Sequence, residues 1–159
     1  PPTTLSTAET TVYHAKDDEV ACVVSPELLS SLYETIDQNV ANRFVQFFCF
    51  DETTEISVGD GRSYFQVPSK YDAGSLTVAN ATALVAGATN NTTIQIHNIT
   101  KAVDMLSTPI TISDTDTTGS GVVDEANSGI STGDILRLDI DSVQTTPPKG
   151  LIVNLEFEN

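Results

Sequence analysis

From residue 43 onward the chain alternates apolar and polar positions in short runs broken by turn-forming residues, and its last stretch shows this most plainly. Leu136, Leu138 and Ile140 point one way while Arg137, Asp139 and Asp141 point the other; after Thr145-Thr-Pro-Pro-Lys-Gly150, the residues Leu151, Val153, Leu155 and Phe157 repeat the pattern. Period-two alternation is what a half-buried antiparallel strand requires, because successive side chains leave opposite faces of the pleat. The two prolines and Gly150 mark the connection by fixing dihedrals and withholding donors. Similar runs lie at 63–67, closed by Pro68, and at 75–84, 92–99 and 109–112. Residues 43–50 carry apolar side chains on both faces, predicting a fully covered strand or part of a subunit contact. Gly59-Asp-Gly61, residues 87–91, residues 113–121 and residues 125–133 are predicted as turns and loops. About eight short strands separated by turns predict a mainly β, antiparallel sandwich, jelly-roll-like in type.

The first third of the chain has a different grammar. Residues 1–19 are polar and predict an extended arm that cannot fold alone. Val20-Ala-Cys-Val-Val24 is a short apolar run, a strand or an anchor. Ser25 then offers an N-cap with Pro26 at the first helical position, and Leu28, Leu29, Leu32, Tyr33 and Ile36 fall at helical spacing, so residues 26–40 predict one amphipathic helix. The expected division is 1–51 for arm, apolar run, helix and linking strand, and 52–159 for the sandwich.

Charge narrows the partners. Acidic residues number 22 against 7 basic, a formal net charge of −15. Such a chain repels phosphate backbones and anionic bilayers, so neither nucleic acid nor membrane is expected as a partner. No apolar run is long enough to span a bilayer, and the first residues read as a cytosolic N-terminus that has lost its Met. Cys22 and Cys49 each sit within an apolar run and are expected as buried free thiols, although their spacing leaves pairing open. Asn80, Asn91 and Asn98 head glycosylation-type triplets, expected to be accidental in a Thr-rich chain.

Candidate chemistry is sparse. His14 and His97 are too few and too far apart for a metal cluster, and no nucleophile elbow or phosphate-cradling glycine loop is present. Asp139 and Asp141 share a strand face and are expected as solvated charge. Asp114, Asp116 and Thr118, with Gly119 sixth and Glu125 twelfth, approximate a calcium loop, the one metal candidate. It lacks the usual Asp or Asn at the fifth position and is flanked by strands. Otherwise no cofactor and no catalytic residue is expected. Phe44, Phe47, Phe48 and Phe50 are the candidate oligomer or capsid contacts, because aromatic residues are enriched in interface cores.

One series of blocks resembles a known family. Gly59-Asp-Gly-Arg-Ser-Tyr-Phe-Gln-Val-Pro68, Thr93-Ile-Gln-Ile-His-Asn-Ile-Thr100, Val103-Asp-Met-Leu-Ser-Thr108, Gly133-Asp-Ile-Leu-Arg-Leu-Asp-Ile-Asp141 and Lys149-Gly-Leu-Ile-Val153 are together similar to a β-sandwich domain of tailed-bacteriophage structural proteins. The resemblance spans about residues 57–157. It implies a non-enzymatic virion component on the outer surface of the capsid: a decoration (cement) protein, homotrimeric, with the major capsid protein as partner. The alternative it implies is a tail-fibre or spike module that recognises a host-surface glycan, for which Tyr64 and Tyr71 are the aromatic candidates.

Overall fold

The computed structural model describes residues 11–14, 21–24 and 43–158. The chain divides into two compact units, Pro1–Ala41 and Asn42–Asn159. In the first, β1 (Thr11–His14) pairs antiparallel with β2 (Ala21–Val24), Thr11 opposite Val24 and His14 opposite Ala21. Four residues of the expected arm are therefore a paired strand, and the apolar run is its partner. The rest of that arm and the helix expected over residues 26–40 lie outside the described residues.

The second unit is built from β3 (Arg43–Glu55), β4 (Gly59–Gln66), β5 (Ser75–Val85), β6 (Thr92–Asn98), β7 (Val103–Asp104), β8 (Leu106–Ile112), β9 (Thr118–Val123), β10 (Ile135–Ser142) and β11 (Lys149–Glu158). All pairings are antiparallel, in the order β3-β11-β5-β9-β8-β6-β10-β4, with β7 added beside β6. The sheet is nearly closed: its two ends, β3 and β4, follow one another in the chain and come into contact. The pairings nest. The first long strand lies beside the last (β3 with β11), the second beside the second-last (β4 with β10), then β5 with β9 and β6 with β8.

Inward positions of the final two strands behave as their alternation predicts. Leu136, Leu138, Ile140, Leu151, Val153, Leu155 and Phe157 are all buried, with Ile94, Ile96, Ile110 and Ile112 from β6 and β8 completing the centre of one core. Each such side chain contributes about 1.5–3 kcal/mol relative to leaving it in water. Tyr71, in a short 3-10 turn at Ser69–Tyr71, meets Phe65 and Phe157 edge-on with ring centroids 5.7 and 5.8 Å apart.

Three differences from the expected elements have local causes. The Gly59-Asp-Gly61 turn is the start of β4, because Gly61 (φ +70°) lets the strand bend while its N–H reaches across to β10. The loop expected over residues 113–121 ends early, and β9 begins at Thr118. Gly119 makes that strand possible: a Cβ there would stand 2.2 Å from the Thr111 carbonyl oxygen, so only glycine lets β8 approach. Finally, β3 continues to Glu55 after an irregularity at residues 51–54, where the Asp51 carboxylate accepts bonds from the N–H and hydroxyl of Thr53 and the hydroxyl of Thr54.

Candidate functional site

The curled sheet presents two outer surfaces that differ in where their charges sit: at the strand ends on one, with Asp51, Glu52 and Glu55 closing β3, and in the middle of the strands on the other. On the side formed by β3, β11, β5 and β9, the register aligns outward residues in rows across the strands. Phe44 stands beside Glu156 and Val78; Gln46 beside Asn154, Asn80 and Ser120; Phe48 beside Ile152, Thr82 and Thr118. Apart from Glu156 these rows carry no ionisable residue. Gln46 Nε2 donates to Asn154 Oδ1 at 2.7 Å, which fixes both amides and leaves the Asn154 Nδ2 group and the Gln46 carbonyl oxygen for other partners.

Two hollows indent this face. One, of about 560 Å³, is lined by Asn80, Ala81, Thr82, Thr111, Thr118, Gly119, Ser120 and Asn154, all uncharged. The other, of about 400 Å³, is lined by Phe48, Cys49, Phe50, Leu84 and Ile152, with Asp51 the one charged member. The Phe run divides by strand geometry: Val45 and Phe47 enter the core, Phe44 (54% exposed) and Phe48 (72%) face out, and Phe50 is half-buried. The register slips between Leu151 and Ile152, so that Cys49 is an extra residue on β3. Cys49 is a free thiol, and burial pushes its pKa up to about 11, which makes it inert rather than nucleophilic.

The opposite side, formed by β4, β10, β6 and β7, is charged. His97 Nδ1 and Asp104 Oδ1 share a hydrogen bond of 2.7 Å. Arg137 donates to Asp139 Oδ2 from Nε and Nη2 at 3.0 and 2.7 Å, and Asp60 lies 3.7 Å from the same guanidinium. The Gly61 N–H donates to Asp139 Oδ1 at 2.8 Å. Asp139 is thus buried, 5% exposed, and not the solvated charge its strand position predicts. The start of β4 and the Arg137 side chain roof it. Asp141 is exposed as expected; partial desolvation, then the charges of Asp139, Asp104 and Asp60, push its carboxyl above the usual range.

Other candidates settle by placement. Asp114 Oδ1 accepts the Thr89 N–H at 2.5 Å on one side of β9, whereas Glu125 follows the strand. Thr118 to Val123 alone spans about 16 Å at the rise of a strand, which keeps Glu125 from closing on Asp114 and Asp116. Among the described residues, no group of three or more His, Cys, Asp or Glu side chains is placed to hold a metal ion. Tyr71 is not a sugar platform: its ring is packed between two others and its hydroxyl donates to the Phe44 carbonyl at 3.1 Å. Tyr64 is exposed, with its hydroxyl over Gly61, where any Cβ would strike it. Asn98 is wholly buried and bonded to Asp134, so its triplet is not a modification site in the folded chain.

Sequence reasoning missed the uncharged hollow. Its signal was present in the alternate residues Asn80 and Thr82 on β5 and in Asn154 on β11, where an acidic chain spends no acid. The chain matches no protein-family model and no curated protein.

Proposed function

We propose that this chain is a non-enzymatic structural protein of a tailed-bacteriophage virion, a decoration protein that docks on the outside of the head. The nested strand pairing supports a jelly-roll reading, since it is the order obtained by wrapping one long eight-strand hairpin around a core. A jelly roll serves many functions, so the weight rests on the surface. One observation carries the proposal: in a chain of net charge −15, the exposed Phe44 and Phe48 lie in rows where Glu156 is the one ionisable residue, the other acids of this side, Asp51, Glu52, Glu55 and Glu158, falling at the strand ends. Apolar surface free of like-charge repulsion is where another protein can approach, and Phe side chains supply the area. The occupant is the major capsid protein, in a trimeric arrangement with the face of Asp60, Asp104 and Asp141 turned to solvent.

Fractionating disrupted particles into heads and tails tests this. The account predicts the chain in the head fraction, and heads lacking it that release DNA at lower temperature. Recovery only with tails, or heads equally heat-resistant without it, would overturn it.

A further inference from the structure

We infer that the uncharged hollow between β5, β9 and β8 is a binding site for neutral saccharides. Its volume of about 560 Å³ falls within the range of about 300–1,000 Å³ usual for small-molecule sites. The lining is distinctive for what its polar groups leave undone. Asn80, Thr82, Thr118 and Ser120 make no side-chain hydrogen bond with any described residue. Unbonded amides and hydroxyls also occur elsewhere on the body, as at Asn91, Thr108 and Thr117; here four of them line one hollow. The Gln46 to Asn154 bond extends the polar row toward β3 with its free donor and acceptor set by that contact. From β3 to β9 the row crosses three inter-strand steps, about 14 Å, enough for a short oligosaccharide.

The chemistry selects the ligand class. A cation would want carboxylates, and the lining has none; an anion would meet the repulsion of the whole chain. An apolar ligand would strip water from amides and hydroxyls and return nothing. An extended peptide binds by adding to a strand edge, whereas here β5 and β9 are paired on both sides. A sugar offers hydroxyls that both donate and accept, matching two carboxamides and the hydroxyls of Thr82, Thr118 and Ser120. Gly119 and Ala81, opposite one another, keep the lining low between them. The hollow centres on β5 and β9, two and three strands from the Phe44 and Phe48 edge, so docking through β3 leaves it open; the assignment does not rest on that docking, and its failure would leave that reading intact.

The test is an NMR titration of the full chain, labelled with ¹⁵N, against neutral trisaccharides of glucose, galactose and mannose and a trigalacturonate. We expect saturable shifts for at least one neutral sugar at Thr82, Gly119, Ser120 and Asn154, with dissociation in the millimolar range or tighter. The anionic sugar should bind at least tenfold more weakly. Asn80→Ala and Ser120→Ala, each on an exposed position that leaves the spectrum dispersed, should each weaken binding about tenfold, and Tyr64→Ala should not. No saturable shift up to about 50 mM of any neutral sugar, shifts confined to the β4 and β10 face, or full affinity in both variants would overturn the assignment.

Discussion

Replacing Asp134 with alanine removes the acceptor at the centre of a buried knot that ties the end of β6 and the turn after it to the loop before β10. Asp134 Oδ2 accepts the Asn98 Nδ2 group at 3.0 Å and the Ser131 N–H at 2.9 Å, and Lys101 Nζ lies 3.1 Å away. Burial pushes this carboxyl up, but those partners outweigh burial and hold it below the ordinary aspartate value of 3.8. Lys101 can turn to water and keeps the Gly129 carbonyl, so it contributes little to the loss. The wholly buried Asn98 amide cannot turn away, and a buried donor left unpaired costs about 1–3 kcal/mol. Adding the part-buried Ser131 N–H gives a total of about 2–4 kcal/mol, or a fall in Tm of about 10–15 °C for a body of this size. The pH dependence carries a definite sign. A carboxyl lowered in the folded state stabilises fully above its unfolded value and loses that contribution as pH falls through the folded one. Calorimetric scans of wild type and Asp134→Ala should therefore differ by a constant amount from neutral pH to about pH 5, and the gap should narrow in stronger acid by the part linked to ionisation. Equal Tm values at pH 7, or a gap that persists unchanged well below the folded pKa, would refute this account of the knot.

Phe157→Ala empties a fully buried site against Tyr71, and denaturant unfolding should show a loss of about 3–5 kcal/mol. Gly119→Val drives a side chain toward the Thr111 carbonyl and should destabilise by about 1–3 kcal/mol, while the same change at Gly133, where a Cβ meets no atom within 4 Å, costs only its positive-φ strain. With its pKa near 11, Cys49 should react with a thiol reagent about a hundredfold more slowly than an ordinary cysteine at pH 8 and at the ordinary rate once unfolded, with peptide mapping to separate it from Cys22. Phe48→Ser should leave stability within about 0.5 kcal/mol of wild type yet reduce recovery on heads in a sedimentation assay.

The strands were legible where burial alone decides side-chain direction. Leu151 to Phe157 alternate in sequence and in space, because one face of β11 packs on the core along its whole length. Asp139 broke the rule because its shelter comes from Gly61, 78 positions away, across a slip in the β4 and β10 pairing between Leu138 and Ile140. Alternation says which way a residue points but not which strand lies next to it. The same limit hid the uncharged hollow, whose walls come from β5, β8, β9 and β11. In sequence, Gly119 and Gly121 look like turn residues, whereas the close approach of β9 to β8 requires them. The Phe run was ambiguous in sequence, and the structure divides it between core and surface.

A density map of the assembled virion tests the central claim most directly. The account predicts the sandwich on the outside of the head, with Phe44 and Phe48 against the shell and Asp60, Asp104 and Asp141 toward solvent. Density for the chain on the tail, or on the head with the carboxylate face against the shell, would contradict it.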